Sequence, residues 1–180
     1  MKATEYLPAF RERIESLIAR GSEAIKALDL QELNAVPEDG WSPAQILEHM
    51  MMTHGHYIDA LVQAVKQMPA DPGAELHLSR FARTLIRFGG PGGNAPAPRS
   101  LHPKPGPYEF EVLSRWEAQT RELLAISGEV AGKDLSFAIR NPFMKAFKMS
   151  VYDCLEVFAQ HTERHVGQIE DRAAIHFLVE

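Results

Sequence analysis

The sequence predicts an all-α protein, and within that class a four-helix bundle, from three observations. Apolar residues recur at helical spacing in four long segments. No segment shows a persuasive strand pattern, and there is no internal repeat. One long connection, rich in glycine and proline, separates the second helical segment from the third. Four long helices with one long crossover form a bundle, and 180 residues are enough for a single domain, 1–180, with its own core.

The first predicted helix runs from Pro8 to about Asp29. Its apolar residues recur three, four and seven positions apart, while charged residues fill the positions between them, and this pattern is typical of an amphipathic helix. The apolar set is Phe10, Ile14, Leu17, Ile18, Ile25 and Leu28. Residues 30–41 are expected to form a connection.

The second predicted helix has a clear start. Ser42 is a good N-cap, and Pro43 suits the first helical position because an N–H there would have no helical partner. We expect this helix to end near Pro69. The residues at helical spacing are Ile46, Met50, His54, Tyr57, Ile58, Leu61, Val62 and Val65.

Residues 69–106 are the irregular crossover. A short amphipathic helix is expected within it, and its apolar residues are Leu78, Phe81, Leu85 and Phe88. The other face carries Arg80, Arg83 and Arg87, which we interpret either as a solvated face or as the mouth of a pocket for an acidic substrate or thiol. The tract GGPGGNAPAPRSLHPKPGP then predicts a loop. It does not predict a phosphate-binding loop, which would follow a strand and open a helix.

The third helix is predicted from about Tyr108 to Val130, with Phe110, Leu113, Trp116, Leu123 and Leu124 facing inward. A loop ending in NPFMKAFKM follows, without a persuasive strand. The fourth helix is expected to start at Ser150, which can cap it, and to continue to about Phe177. Asp153 lies in its first turn, where the helix dipole favours an acidic side chain.

Composition and charge exclude several classes of protein. The formal net charge of −5 gives no support for general binding to nucleic acid, whose phosphates would be repelled. The single cysteine, Cys154, allows neither an internal disulfide nor a cysteine-based zinc site, and we expect it to be a small core residue. No segment resembles a signal peptide or approaches the length of a membrane span. The expectation is a cytoplasmic protein that binds no membrane.

Two of the eight histidines lie where a metal ion could use them. His161 and His165 are four residues apart, so both imidazoles lie on one face of the last helix. Phe158 and Ile169 extend the same apolar stripe, so the pair is expected to point toward the core, where a shared metal would offset the cost of burial. The motif reads HTERH rather than HExxH, which argues against metalloprotease chemistry because Glu163 lies on the wrong side of the helix.

A third ligand would have to come from another helix, and His49, His54 and His56 compete for the role. His49 borders the buried stripe of the second helix. His56 lies two turns further along, roughly 10 Å away by helical rise, so both cannot bind one ion. His54 could instead be a core histidine bonded to a carbonyl. Spacing alone does not choose among the three.

Two segments resemble a known family. WSPAQILEHM (41–50) resembles the DinB-like (DNA-damage-inducible) superfamily, in which Trp and Ser precede a helix with a single histidine. NPFMKAFKMSVYDCLEVFAQHTERHVGQIE (141–170) is similar to the family's last motif, in which an x-Pro-Phe loop leads into a helix bearing His-x-x-x-His and then Gln-Ile. Asn141 departs from the pattern, since several relatives have His there, and the 69–106 insert is longer than the family leads us to expect.

The resemblance implies an up-down-down-up bundle, often dimeric, with a three-histidine site for nickel or zinc that keeps open coordination positions. Carried over to this sequence, the ligands are His49, His161 and His165. Three imidazoles leave the ion its full positive charge, so such a site can polarise a carbonyl or lower the pKa of water. Glu48 and Gln168 adjoin the ligands and are candidates for supporting roles.

The function expected from this reasoning is a metal-dependent enzyme, either a hydrolase or a low-molecular-weight-thiol transferase, acting on a small molecule and assembling as a homodimer. The alternatives are a non-catalytic metal-binding bundle with a stress-response or interaction role, and a structural bundle with incidental histidines. The sequence selects neither a substrate nor a catalytic residue.

Overall fold

The computed structural model describes residues 1–176, and it contains six α-helices and one short hairpin within that range. The helices are α1 (Ala3–Lys26), α2 (Leu30–Asn34), α3 (Pro43–Val65), α4 (Arg80–Gly89), α5 (Glu111–Glu129) and α6 (Val151–His176). The strands β1 (Ala138–Arg140) and β2 (Lys148–Ser150) pair antiparallel, and a 3-10 turn spans Arg99–Leu101. The predicted end of the last helix near Phe177 lies outside the described residues.

The four long helices α1, α3, α5 and α6 form the predicted up-down-down-up bundle. Helix α1 runs parallel to α6, because Arg13 pairs with Glu156 (3.2 Å) and Arg20 further along pairs with Glu170 (2.7 Å). Helix α3 runs parallel to α5, since Glu48 near its start contacts Arg115 of α5. The pairs α1–α5 and α3–α6 are antiparallel and pack side by side. Parallel neighbours require long connections, and the crossover between α3 and α5 is one of them.

The core lies between these four helices, and its largest fully buried side chains include Trp116 of α5 and Phe158 of α6. Gly21 of α1 lies against Trp116 of α5. A Cβ atom at this position would lie 2.8 Å from the Trp116 ring, so a larger residue would force the two helices apart. Ser42 caps α3 as predicted: its hydroxyl accepts a hydrogen bond from the backbone N–H of Gln45 (3.2 Å).

Helix boundaries differ from the predictions at several places. Helix α1 begins at Ala3 rather than Pro8, because Tyr6 and Leu7 are buried in the core and packing outweighs the hydrogen bond that proline cannot donate. Helix α3 ends at Val65, short of Pro69, and α5 spans Glu111–Glu129 instead of 108–130. The connection 30–41 contains the short helix α2, which Asp29 caps by accepting from the backbone N–H of Glu32 (2.8 Å).

The expectation that no strand precedes the last helix was wrong. Residues Ala138–Arg140 pair with Lys148–Ser150, and NPFMKAF forms the turn between them. Each strand has only three residues, too few to display an alternating pattern. The side chain of Asn141 holds the turn, because its Oδ1 accepts from the backbone N–H groups of Phe143 (3.0 Å) and Met144 (2.7 Å).

The expected short helix of the crossover is α4, and it packs against α6. Arg80, Arg83 and Arg87 on its outer face are exposed. None of the helices among the described residues is long and apolar enough to cross a membrane.

Candidate metal centre

Three histidine side chains from two antiparallel helices meet in the interior of the bundle. His49 of α3 and His161 and His165 of α6 each place a ring nitrogen within 4.8 Å of the other two. His49 and His165 are only 3% and 4% exposed. The structure therefore brings together the three residues that the family resemblance implies as ligands, and the group contains no carboxylate or thiolate.

The positions of these rings follow from local sequence. The four-residue spacing of His161 and His165 places their rings next to each other on α6 in an edge-to-face arrangement, with the two Nε2 atoms 3.2 Å apart. His49 lies in the second turn of α3, which packs against α6. Trp41, just before the cap, lies against the His49 ring with centroids 4.7 Å apart and closes one side.

Two of the three imidazoles are held in a defined tautomer. Nδ1–H of His49 donates to the backbone carbonyl of Leu101 at 2.8 Å, and Nδ1–H of His165 donates to Oε1 of Gln168 at 2.7 Å. Since a neutral imidazole has one N–H, each ring keeps an unprotonated Nε2 with a lone pair available to a metal. Partners of this kind orient metal-binding histidines.

His54 does not occupy the expected position of a core histidine bonded to a carbonyl. Its Nε2 lies 3.1 Å from Nδ1 of His161, and its ring stacks on Phe158 with centroids 3.8 Å apart. Its Nδ1 is buried and has no hydrogen-bond partner among the described residues. His54 thus belongs to the centre as a neighbour of His161. Helical periodicity had indicated its burial, whereas its partner depended on how α3 packs on α6.

Other candidates lie away from the three nitrogens. His56 is exposed, with its ring near Phe143. Glu48 contacts Arg115 at 3.6 Å, and no contact between Glu48 and the three histidines supports the role suggested for it. Cys154 is fully buried, and burial raises the pKa of its thiol, in keeping with the predicted core role.

Burial controls the electrostatics of the cluster. It lowers the pKa of His49, His54, His161 and His165, and the value for His165 falls to about 3. Mutual repulsion among the rings and the positive charge of Arg164 act in the same direction at His161. The imidazoles are therefore neutral at physiological pH, which is the form that binds metals.

The arrangement fits a divalent ion. Two nitrogens bound to a tetrahedral zinc at about 2.1 Å would lie about 3.4 Å apart, close to the 3.2 Å between Nε2 of His161 and Nε2 of His165. Neutral imidazoles, their fixed lone pairs and their burial are the features expected of such a donor set. The cluster thus suggests a divalent metal without specifying which one.

A cavity of about 580 Å³ opens onto the three histidines. Helix α4 contributes Leu85 and Phe88 to its wall, and the turn after β1 contributes Phe143 and Met144. Further lining residues are Trp41, Ile46, Thr53, Tyr57, Leu101, Gln168, Arg164 and Arg172. Arg80, Arg83 and Arg87 do not line it, so the alternative that placed them at the pocket mouth finds no support. The sequence reasoning missed Arg164 and Arg172, although both lie on the face of α6 that carries the histidines.

The fold and the cluster together define a class: up-down-down-up helical bundles with a buried histidine cluster suited to a divalent metal. The chain belongs to the DinB superfamily, whose family model matches residues 6–169. This confirms the resemblance carried by the two sequence motifs.

A solved structure shares the fold. YfiT from Bacillus subtilis, described as a probable metal-dependent hydrolase with an unusual four-helix bundle topology, superposes with a TM-score of 0.64 at 12% identity. The match covers 96% of this chain and 89% of that one. No curated protein matches the sequence.

Proposed function

We propose that the protein binds one divalent metal ion through His49, His161 and His165 and uses it to hydrolyse a small molecule. The observation that carries the proposal is that three neutral imidazoles, two of them buried and that of His161 half-buried, place ring nitrogens within 4.8 Å of one another beside a cavity. Membership of the DinB superfamily and the likeness to a probable metal-dependent hydrolase support it.

The donor set favours nickel or zinc. Imidazole nitrogen suits both ions, whereas magnesium and calcium require oxygen ligands, which the cluster does not offer. Metal analysis of protein purified without a histidine tag tests this step. We expect close to one nickel or zinc per chain, and its absence from protein refolded with both metals would contradict the assignment.

The surroundings of the centre support a role in hydrolysis. When bound, such an ion supplies Lewis-acid chemistry that polarises a carbonyl group and activates water. The three imidazoles would hold it without neutralising its charge. The carbonyl of Leu101 orients the ring of His49, and the side chain of Gln168 orients the ring of His165. The largely apolar walls would exclude bulk water and accept an uncharged part of a substrate.

An activity screen separates hydrolysis from the other possibilities. The metal-loaded protein is offered ester and amide substrates, and in parallel low-molecular-weight thiols with electrophilic acceptors. Turnover of esters or amides that disappears in His161→Ala supports the hydrolase. Turnover only with thiols would assign a thiol transferase instead, and no turnover by fully loaded protein would favour a metal-binding stress-response or interaction module.

We also propose that the protein is a homodimer and that it is cytoplasmic. A homodimer is expected from family membership, and light scattering coupled to size exclusion measures it directly. A cytoplasmic location is expected from the sequence, and fractionation of cells producing the tagged chain tests it.

A further inference from the structure

Two arginines, Arg164 and Arg172, line the cavity beside the histidines. Arg164 lies between His161 and His165 on α6, and Arg172 follows two turns later on the same face. Among the described residues, neither forms an ion pair with an aspartate or glutamate. By contrast Arg20, across the bundle, pairs with both Glu163 and Glu170 at 2.7 Å.

Among the described residues, the hydrogen bonds of both guanidinium groups go to neutral backbone carbonyls. Nη1 of Arg164 donates to the carbonyl of Phe88 at 3.2 Å, and its Nε is buried without a partner. Nε of Arg172 donates to the carbonyl of Trp41 at 2.7 Å, and its Nη1 donates to the carbonyl of Gln168 at 3.1 Å. These bonds position the side chains, but carbonyl dipoles do not neutralise a full charge.

The charge balance of the cavity is opposite to that of the chain. Of the described residues that line it, only Asp39 is acidic, and Asp39 is exposed. Two arginines against one aspartate leave one positive charge, in a protein whose formal net charge is −5. Both arginines are half-buried, and burial lowers the pKa of both guanidinium groups, while Asp171 acts in the opposite direction at Arg172.

The remaining walls are apolar. Trp41, Leu85, Phe88 and Phe143 all line the cavity. A ligand that matches both features has an apolar body and a single negative charge. A carboxylate carries one negative charge and binds a guanidinium with matched geometry.

We propose that Arg164 and Arg172 form an anion-binding subsite and that the cavity takes small organic carboxylates with an apolar body. The inference deepens the proposed function, since it names the substrate class of that site, but the unpaired charges exist without any metal. It can therefore be tested separately from metal binding and from hydrolysis.

The test measures binding of 4-phenylbutyrate and of its neutral isostere 4-phenylbutanamide by NMR titration, with metal-free and with zinc-loaded protein. We expect the metal-free protein to bind the carboxylate about tenfold more tightly than the amide. Arg164→Gln and Arg172→Gln should each remove most of that preference, while Arg164→Lys, which keeps the charge, should retain part of it. Arg83→Gln is the matched control, because it removes one exposed arginine outside the cavity.

Three results would overturn the proposal. The first is equal binding of acid and amide, or binding of neither at millimolar concentration. The second is a preference that survives both glutamine variants, provided that circular dichroism shows them folded. The third is a preference present only with zinc and indifferent to the arginines, because the carboxylate would then simply coordinate the ion; that result would leave the metal-dependent function standing.

Discussion

Nδ1 of His161 lies 3.1 Å from Nε2 of His54, and the Nδ1 atom of His54 has no hydrogen-bond partner among the described residues. If His161 binds a metal through Nε2, its Nδ1 must carry the proton and donate to His54. His54 is then a positioning residue for the ligand rather than a ligand itself.

His54→Phe tests this relationship. The substitution keeps a ring of similar size against Phe158 but removes both nitrogens. We expect metal affinity to fall by about 10- to 100-fold, as for other partners of histidine ligands. The free energy of unfolding of the metal-free protein should change by no more than about 1 kcal/mol. The substitution removes the unpartnered Nδ1 of His54, but it leaves Nδ1 of His161 without its partner. Competition with a chromogenic chelator measures the affinity, and His56→Phe, an exposed site on the same helix, is the control. Unchanged affinity in His54→Phe would contradict the positioning role.

His161→Ala should abolish tight metal binding while leaving the protein helical. Two imidazoles hold a divalent ion poorly, so the loss should exceed the 10- to 100-fold typical of a supporting partner. Elemental analysis measures the metal content and circular dichroism the fold. A helical variant that still carries stoichiometric nickel or zinc would show that His161 is not a ligand.

His49→Ala should behave like His161→Ala, whereas His56→Ala should keep its metal. His49 reaches the cluster and His56 is exposed, about two helical turns away. Elemental analysis of the three variants, prepared in parallel, makes the comparison. Equal metal loss in all three would mean that the ligand on α3 has been misassigned.

Gln168→Leu should weaken metal binding by about tenfold or more, because the hydrogen bond that orients His165 is lost. Leucine has a similar volume, so the packing of α6 should change little. Chelator competition provides the readout. Gln160→Leu, which removes a glutamine of the same helix that bonds to Glu156 rather than to a histidine, should bind metal like the parent. Equal affinities in both variants would argue against the orienting role.

The metal-free protein should lose stability as pH falls below about 6.5. Burial lowers the pKa of His165 to about 3, so between these values the unfolded chain binds a proton that the folded chain does not. Stability is therefore full at neutral pH and declines on acidification, by about 2 kcal/mol at pH 5 for this histidine alone. Urea denaturation at pH 7.5 and pH 5 measures the change. A stability that is independent of pH over this range would contradict the burial of neutral imidazoles.

The stabilisation that bound metal gives to the fold should also decrease as pH falls. Protons compete with the ion for the three imidazoles, so metal should leave as pH falls through about 6 to 5, or lower if binding is very tight. Thermal melting with and without chelator at the two pH values tests this. A chelator effect at pH 7.5 that disappears at pH 5 fits a histidine-only centre. An undiminished effect at pH 5 would indicate carboxylate ligands and would contradict the assignment.

Local sequence was enough to predict the helical class, the start of α3 at Ser42 and the shared face of His161 and His165. These features rest on periodicity and capping, which involve residues only a few positions apart. Spacing could not choose among His49, His54 and His56, and the choice of His49 rested on a resemblance between short motifs.

The surroundings of the centre, by contrast, depend on contacts between distant parts of the chain. The carbonyl of Leu101 belongs to the crossover, and because every residue has a backbone carbonyl, the sequence does not indicate which one accepts this hydrogen bond. The partner of His54 depends on the register between antiparallel helices α3 and α6, and the three-residue strands are too short to carry a pattern. The sequence likewise does not show that Arg164 and Arg172 form no ion pair among the described residues, because ion pairing depends on which carboxylates the fold brings near. Contacts between residues distant in the chain arise from packing, so only the folded chain reveals them.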